Sequence, residues 1–343
     1  MNIDILYIIT FFIACSCSLI LTPFCRYIAI KFNVYDRPIT AIKTHKVSTP
    51  YLGGFAIWSS LVISLVIIRF ITNFPTGTLK NLRSIIIGSS LLLILGLFDD
   101  IKKGGLNFKF KFLIQIIACL IVVIGFDIRI NFIENYFLSI IVSMFWIIGL
   151  SNAFNLIDIM DGLACGTAAI AAFFFFIIAL PSEMIYVNFC SIALFASCLG
   201  FIPFNLSEGK KIFMGDTGSL SIGFILATIA MGTSYTKINS TGIFAPLLIL
   251  TIPIYETIFV SIMRILKGKN PFLGSKDHFP LRLEKMGYTR KQILIFIYML
   301  SFILGIFSYT IVNLYDNISY LIFLLVIVAL IIFSVKLSKI KME

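Results

Sequence analysis

Apolar residues form long runs along this chain, separated by short polar segments. About 20 consecutive apolar residues cross a bilayer as an α-helix, because each residue adds about 1.5 Å along the axis. Two of the runs are short, which gives a count of ten to eleven spans. We predict membrane helices near residues 5–30, 51–71, 84–98, 110–126, 135–151, 163–180, 186–203, 218–233, 242–264, 291–312 and 318–335.

The composition indicates that lipid surrounds most of the chain. Of its 343 residues, 59% are hydrophobic and 13% are charged, and the mean hydropathy is +1.05. Soluble domains carry roughly a quarter charged residues. The first apolar run is long enough to span, which favours a retained helix over a cleaved signal peptide. We predict an all-α integral membrane protein with a single domain, residues 1–343.

The basic residues predict the orientation. Of the 27 Lys and Arg residues, 22 fall in loops and a tail on one side of the predicted membrane. Lys and Arg stay on the cytoplasmic side during insertion, so the N-terminus is predicted outside and the C-terminus inside. The net charge of +11 is then a consequence of topology, and we expect no nucleic-acid partner. The other side holds only Arg69, Lys80, Arg83, Arg129 and Lys237.

The aspartates also lie mainly on one side of the predicted membrane, although the rule that sorts Lys and Arg places little constraint on acidic residues. Asp99 and Asp100 end the third predicted helix, and Asp216 begins the eighth. Adjacent carboxylates at a membrane interface need compensating cations. The pair is either a solvated helix end or a general base or magnesium site beside a phosphate. Gly215-Asp216 at a helix start is either an N-cap or a place for phosphate and a divalent cation.

Polar residues recur every three positions between the fifth and sixth predicted helices. They are Asn152, Asn155, Asp158 and Asp161, and they alternate with apolar residues, unlike an ordinary solvated loop. If this stretch is helical, the spacing gathers all four along one face. The cytoplasmic side of the membrane would then carry a cluster of carboxylates and amides.

Two further segments could contact an anionic ligand. His278 and Arg282 stand four residues apart in the last long loop, which is either an anion site or an ordinary surface loop. Lys46 precedes Gly53-Gly54 at the start of the second helix, where glycines allow close packing or close approach of a ligand. Together with the acids, this inventory suits a divalent metal that bridges a diphosphate. The sequence contains no P-loop and no nucleophilic Ser or Cys pattern.

The order of these motifs resembles the polyprenyl-phosphate N-acetylhexosamine-1-phosphate transferases, which include phospho-MurNAc-pentapeptide translocase. The resemblance covers residues 20–290 approximately. The motifs that carry it are Thr49-Pro50…Gly53-Gly54, Asp99-Asp100, Asn152-x-x-Asn155-x-x-Asp158-x-x-Asp161-Gly162 and Phe213-Met214-Gly215-Asp216-x-Gly218-Ser219.

The resemblance implies transfer of HexNAc-1-phosphate from a UDP-sugar to undecaprenyl phosphate, with release of UMP, at the bacterial inner membrane. GlcNAc-1-phosphate is the leading candidate, Mg²⁺ is the implied cofactor with Mn²⁺ as a substitute, and a homodimer is compatible. The implied catalytic residues are Asp99, Asp100, Asp158 and Asp161. The implied metal-binding residues are Asp216 and Asn155. The implied substrate-binding residues are Lys46, Lys111, Asn152, Asn205, His278 and Arg282.

Two departures from the family pattern leave the sugar open. His278 to Leu283 keeps the first His and the Arg-Leu of a His-x-His-His-Arg-Leu motif, and Glu256 replaces a usual Asp. The first departure weakens the alternative of a phospho-MurNAc-pentapeptide transferase of peptidoglycan synthesis. An inactive scaffold is a further alternative. So is an ion-coupled transporter, which would instead place charges in the middle of its spans.

Overall fold

The computed structural model describes residues 3–36, 47–102, 104–181, 184–233, 235–236, 240–271 and 274–342. The chain divides into two compact units. Unit 1 comprises Met1–Arg37 and Lys46–Ser234, and unit 2 comprises Pro38–His45 and Tyr235–Glu343. Apart from one pair of two-residue strands, the regular secondary structure of the described residues is helical.

Unit 1 contains eight α-helices within the described residues. They are α1 Ile3–Lys31, α2 Gly53–Ile71, α3 Thr76–Ile101, α4 Phe108–Leu120, α5 Tyr136–Ile157, α6 Leu163–Ala179, α7 Ile185–Asn205 and α8 Gly215–Gly232. A π-helical turn, Ile121–Gly125, extends α4. Strands β1 Tyr35–Asp36 and β2 Thr49–Pro50 pair antiparallel, with Tyr35 opposite Pro50.

Helix α8 lies at the centre of unit 1, where it packs against α2, α3, α5, α6 and α7. Small residues allow these close approaches. A side chain at Gly54 of α2 would collide with the backbone of Gly218 in α8. Close packing of small residues is the usual way to join helices in lipid, because lipid supplies no hydrophobic drive between them. The start of α8 therefore packs closely against α2.

Backbone hydrogen bonds hold the segment that leads into α8. Phe213 donates its N–H to the carbonyl of Pro50 in β2, and Gly53 donates to the carbonyl of Phe213, both at 2.9 Å. Gly54 donates to the carbonyl of Met214, also at 2.9 Å. The start of α8 is thus attached to β2 and to the first turn of α2. Main-chain contacts fix where Asp216 lies.

Unit 2 contains a short 3₁₀ helix followed by five α-helices within the described residues. They are the 3₁₀ turn Thr241–Phe244, α9 Ala245–Ile249, α10 Thr251–Leu266, α11 Phe279–Lys285, α12 Arg290–Asn313 and α13 Asp316–Ser338. The axis bends by 74° between Thr241–Ile249 and α10. Pro253, in the first turn of α10, has no N–H to continue the hydrogen bonds of α9 across this break.

The helices confirm a multi-pass membrane protein. In the described part of the chain, eight helices are long and apolar enough to cross a membrane, and the bent pair makes nine if it is one span. The count of ten to eleven spans stays a prediction. Helix α6 has 17 residues, about 25 Å, which is less than the hydrocarbon core of about 30 Å. Helix α8 begins with small and polar residues, Gly, Asp, Thr, Gly and Ser, so its first turn is not part of an apolar run.

Candidate active site

Asp100 caps the N-terminus of α8 from the end of α3. Its Oδ1 accepts the backbone N–H of Asp216 at 2.9 Å, and its Oδ2 accepts the backbone N–H (3.1 Å) and hydroxyl (2.6 Å) of Thr217. The first N–H groups of a helix need such acceptors, and α8 has no side-chain cap from its own N-cap residue. Gly215 adopts φ +72°, and a side chain there would collide with the Asp100 carboxylate. The carboxylate of Asp100 is thus used by the protein itself.

Asp99, the preceding residue, contacts a lysine instead. Lys111 Nζ lies 2.6 Å from Asp99 Oδ2 and 2.9 Å from Asp216 Oδ2. The other oxygen of Asp99 accepts the N–H of Leu106 at 2.5 Å. Successive helical residues point about 100° apart, which is why Asp99 and Asp100 have different neighbours. We call Asp99, Lys111 and Asp216 the Asp–Lys–Asp cluster.

The Asp–Lys–Asp cluster is open to solutes. The side chains of Lys111, Asp99 and Asp216 are 25%, 11% and 26% exposed. Asn155 extends from α5 toward the cluster, where its side chain lies beside the Asp216 carboxylate and donates to Ser219 Oγ at 3.1 Å. The structure therefore brings together four of the residues predicted for the site, from four helices.

Asn152 lies one turn earlier on α5 and contacts α4. Its Nδ2 donates to Gln115 Oε1 at 2.8 Å and to the carbonyl of Ile148 at 2.8 Å. Gln115 Nε2 donates in return to Asn152 Oδ1 at 3.2 Å. Gln115 is buried, so this amide pair joins α4 to α5. The predicted substrate contact of Asn152 stays a prediction.

The four polar residues spaced three apart do not share one helical face. Helix α5 ends at Ile157, and Asp158 is its C-cap with φ −77° and ψ 51°. Asn152 and Asn155 therefore lie on the helix, whereas Asp158 and Asp161 extend from the turn that follows. The spacing in the sequence could not show that α5 ends at Ile157, because polar residues can recur every three positions both in a helix and in a turn.

Asp158 lies half-buried in the turn after α5. Burial raises its pKa, and the negative charges of Asp216 and Asp161 raise it further, to about 8. A carboxyl group with this pKa is largely protonated at pH 7. A divalent cation nearby would favour the ionised form, because it would offset these negative charges.

Lys211, which the sequence motifs did not single out, pairs with Asp161. The Lys211 Nζ–Asp161 Oδ2 distance is 2.5 Å, and Nζ lies 5.4 Å from the ring centroid of Phe213. Arg26 donates to the main-chain carbonyl of Lys211 at 3.2 Å. Both side chains of the pair are partly exposed. The only sequence signal that could have identified Lys211 is its position five residues before Asp216.

Asn205 joins the turn that carries Asp161 to the segment that leads into α8. Its Oδ1 accepts the N–H of Gly162 at 2.6 Å, and its Nδ2 donates to the carbonyl of Ile212 at 2.9 Å. The side chain is buried. In this structure Asn205 therefore positions the turn of Asp161, and its predicted contact with substrate stays a prediction.

The remaining predicted substrate-binding residues are Lys46, His278 and Arg282. Lys46 is outside the described residues. His278 and Arg282 belong to unit 2. His278 Nδ1 lies 2.5 Å from Glu256 Oε1, and the other oxygen of Glu256 accepts the N–H of Phe279 at 3.2 Å. The two departures from the family pattern, at the histidine motif and at Glu256, therefore contact each other.

The guanidinium of Arg282 is fully buried and binds groups of unit 2. Its NH1 donates to the carbonyls of Leu337 (3.0 Å) and Ile340 (2.5 Å), at the C-terminal end of α13. Its NH2 donates to Asp277 Oδ1 at 3.0 Å. Burial would raise the pKa of Asp277, but the hydrogen bond and charge of Lys267 hold it below its usual value. Arg282 thus anchors the end of α13, and its predicted contact with an anionic substrate stays a prediction.

Replacing Arg282 with Met should destabilise the protein by about 3 kcal/mol, because one buried and one partly buried carbonyl lose their donor and Asp277 loses one of its two cations. We expect the melting temperature in detergent to fall by roughly 5–10 °C. Arg290→Met is the matched control, since its ion pair with Glu284 is 38% exposed on both sides and contributes little. Equal melting temperatures for the two variants would contradict the anchoring role.

The donor set around Asp216 fits a hard divalent cation. Within the described residues, no group of three His, Cys, Asp or Glu side chains is placed to hold one ion. Mg²⁺ does not require such a group, because it commonly binds one or two carboxylates and completes its shell with water and substrate phosphates. Asp216 supplies a carboxylate and Asn155 an amide at an open site. The chemistry of these oxygen ligands is that of Mg²⁺ or Mn²⁺.

The fold and this site define a multi-pass membrane protein with an acidic, lysine-containing centre at the ends of its helices. The model of glycosyl transferase family 4 matches residues 82–234. The chain is 32% identical to the probable undecaprenyl-phosphate N-acetylglucosaminyl 1-phosphate transferase of Bacillus subtilis (strain 168), over 87% of this chain and 83% of the relative. This protein therefore belongs to glycosyl transferase family 4.

Phospho-N-acetylmuramoyl-pentapeptide-transferases are also similar. Those of Bacillus thuringiensis (strain Al Hakam) and Bacillus cytotoxicus are each 29% identical to the chain, over 87% of this chain and 94% of the relative. The range matched by the family model contains the whole Asp–Lys–Asp cluster together with Asp158, Asp161 and Asn205. The resemblance inferred from the motifs is confirmed.

Proposed function

We propose that this protein transfers HexNAc-1-phosphate, most simply GlcNAc-1-phosphate, from a UDP-sugar to undecaprenyl phosphate and releases UMP. The observation that carries the proposal is the Asp–Lys–Asp cluster at the start of α8, in a chain 32% identical to a relative named for this reaction. The proposed setting is the bacterial inner membrane. There the reaction would begin the lipid-linked assembly of an envelope polysaccharide.

The proposed reaction exchanges one phosphoanhydride bond for another. An oxygen of the lipid phosphate attacks the β-phosphorus of the UDP-sugar and forms a new P–O bond. The bond from the β-phosphorus to the bridging oxygen breaks, and UMP leaves with that oxygen and its electron pair. An ionised phosphate is already a competent nucleophile, so no phospho-enzyme is required.

Each residue of the cluster has a proposed role that follows from its charge. Lys111 provides the positive charge that stabilises the oxygens of the transferred phosphoryl group. Asp99 holds the ammonium of Lys111 and orients the incoming lipid phosphate. Mg²⁺, or Mn²⁺ in its place, held by Asp216 with Asn155 alongside, would offset the charge of the diphosphate and of the departing UMP.

The turn after α5 is the proposed side for the nucleotide sugar. Asp158 lies within electrostatic reach of both Asp216 and Asp161. The ammonium of Lys211 can release the Asp161 carboxylate and bind a phosphate oxygen instead, because both side chains of this ion pair are partly exposed. Lys46, Asn152, Asn205, His278 and Arg282 remain proposed substrate contacts on the basis of the motifs.

The proposed organisation is one membrane domain of residues 1–343 with eleven spans, the N-terminus outside and the C-terminus in the cytoplasm. The bias of Lys and Arg supports this orientation. The acids of the cluster would then face the soluble nucleotide sugar, and undecaprenyl phosphate would enter from the lipid. A homodimer is compatible with this arrangement.

A phospho-MurNAc-pentapeptide transferase is the second candidate, since two of the relatives described above, at 29% identity, carry that name. Both candidates use the same lipid and release UMP, so the sugar nucleotide alone separates them. The reduced histidine motif around His278 favours the smaller HexNAc donors.

A panel of donors tests the proposal. Purified full-length protein would be mixed with undecaprenyl phosphate, Mg²⁺ and one donor at a time: UDP-GlcNAc, UDP-GalNAc, UDP-FucNAc, UDP-QuiNAc or UDP-MurNAc-pentapeptide. We expect UMP from UDP-GlcNAc, and none after a chelator removes the metal. UMP from the pentapeptide donor alone would favour the second candidate. No UMP from any donor would contradict the transferase proposal and favour an inactive family member.

A further inference from the structure

The carboxylate of Glu256, in α10, contacts two groups at the start of α11. Its Oε1 lies 2.5 Å from Nδ1 of His278, and its Oε2 accepts the backbone N–H of Phe279 at 3.2 Å. Glu256 is completely buried, and His278 is 5% exposed. Because His278, the N-cap residue of α11, supplies no side-chain cap, the carboxylate of Glu256 caps this helix instead. Both of its oxygens are therefore used within unit 2.

Buried cations accompany this carboxylate. Arg264 of α10 and Arg282 of α11 lie within electrostatic reach of Glu256, and both are buried. The other carboxylate nearby, Asp277, pairs with Arg282 and with Lys267. Positive charges in a buried site favour the ionised form of a carboxyl group, and an ionised carboxylate only accepts hydrogen bonds. The group that faces Glu256 must therefore be a donor.

This requirement determines which nitrogen of His278 carries the proton. Nδ1 faces the carboxylate and must be the N–H, which leaves the lone pair of the neutral ring on Nε2. Nε2 has no hydrogen-bond partner among the described residues. It is also not one of their fully buried polar atoms that lack a partner, so it retains accessible surface. The imidazole thus presents one free acceptor whose position is fixed by Glu256.

We propose that Glu256 is a positioning residue, which holds the proton of His278 on Nδ1 and keeps Nε2 as the acceptor of a hydrogen bond from the bound UDP-sugar. This inference rests on the proposed function, in which His278 contacts the substrate. It also accounts for Glu where the family pattern usually has Asp. An aspartate is shorter by one methylene, about 1.5 Å, so from the same backbone position it could not contact both Nδ1 and the N–H of Phe279.

Nitrogen NMR identifies the protonated nitrogen directly, because the protonated and unprotonated nitrogens of an imidazole give well-separated signals. Full-length protein with isotope-labelled histidine would be measured in lipid bilayers at alkaline pH, where an imidazole is neutral. The chain has only two histidines, so the signals of His278 are those that disappear in His278→Gln. We expect the wild type to carry the proton on Nδ1 and none on Nε2.

Glu256→Gln should move this proton to Nε2. The backbone N–H of Phe279 cannot change direction, so it keeps the oxygen of the new amide, and the amide NH₂ then faces Nδ1. Nδ1 must become the acceptor, and Nε2 becomes the N–H. Glu284→Gln is the matched control, because Glu284 pairs with Arg290 and is 38% exposed. The control should leave the proton of His278 on Nδ1.

UMP release connects the position of the proton to the reaction. Glu256→Gln should raise the KM for the UDP-sugar about tenfold, the value of one hydrogen bond, with a smaller change in kcat, because the bound substrate already makes this contact. In the His278→Gln background the same substitution should have no further effect, since Glu256 acts through His278. Glu284→Gln should keep the wild-type KM.

Three results would overturn the proposal. They are a wild-type proton on Nε2, a proton that stays on Nδ1 in Glu256→Gln, and a further rise of KM when Glu256→Gln is added to His278→Gln. The wild-type spectrum decides the position of the proton even if Glu256→Gln does not fold. Because NMR requires no turnover, a wild type that releases no UMP from any donor would contradict the proposed function, while the spectra would still show whether Glu256 controls His278.

Discussion

Asp216→Asn is expected to lower UMP release by about a thousandfold while the protein stays folded. Asparagine has nearly the same size as aspartate, and the backbone N–H of residue 216 would still donate to Asp100. The variant loses the negative charge that pairs with Lys111 and the carboxylate proposed to hold Mg²⁺. Losses of this size accompany removal of a group that stabilises charge in a transition state.

The measurement is the initial rate of UMP release at saturating UDP-sugar and Mg²⁺, together with the melting temperature of each variant in detergent. Asp127→Asn is the matched control, because Asp127 also forms an ion pair but its side chain is 63% exposed. The control should retain wild-type activity. If Asp216→Asn kept more than about a tenth of the wild-type rate, the role assigned to its carboxylate would be wrong.

The second large effect is expected at two neighbouring residues that respond differently to the same change. Asp100→Asn should lower both stability and activity. Its single remaining oxygen can accept one of the N–H groups of α8, but its amide would face the other donor. Each buried donor left unsatisfied costs about 1–3 kcal/mol, so the melting temperature should fall by roughly 2–6 °C. Activity should fall because the start of α8 carries Asp216.

Asp99→Asn should instead lower activity with little change in melting temperature. Its carboxylate binds the partly exposed Lys111 and the N–H of Leu106, and an asparagine oxygen can still accept from the backbone. Thermal unfolding and UMP release, measured on both variants, test whether the roles of Asp99 and Asp100 differ. If the two variants melted at the same temperature, Asp100 would have no special capping role, and the pair would act as a unit.

The fold could largely be predicted from the sequence, because lipid imposes a strong constraint. A backbone inside a bilayer must satisfy its own hydrogen bonds, so each long apolar run becomes a helix. Each of the eleven predicted runs falls on helical structure, including the bent segment of α9 and α10. The number of spans could not be predicted as well. Hydropathy does not show whether a helix such as α6, enclosed by other helices, also crosses the membrane.

The candidate site could be predicted in part. The motifs singled out Asp99, Asp216 and Asn155, and the structure shows Asp99 and Asp216 paired with Lys111 and Asn155 beside Asp216. The different contacts of Asp99 and Asp100 could not be predicted, since they depend on where the end of α3 meets the start of α8.

Three other features depend on contacts between distant segments and were not accessible from local patterns. The end of α5 at Ile157 places Asp158 and Asp161 in a turn. Lys211 reaches Asp161 across 50 positions of the chain. Arg282 reaches the carbonyls at the end of α13, 55 and 58 positions away. Patterns of a few residues carry no information about such partners.

The fate of the β-phosphate tests the central claim most directly. UDP-GlcNAc with a radioactive β-phosphorus would be incubated with the protein, Mg²⁺ and undecaprenyl phosphate, and the lipid and aqueous phases would then be separated. Transfer of GlcNAc-1-phosphate predicts that the label moves into the lipid phase while unlabelled UMP appears in water in equal amount. Label that stayed in the aqueous phase as UDP, while the sugar moved to the lipid, would show transfer of the sugar without its phosphate and would contradict the proposed reaction.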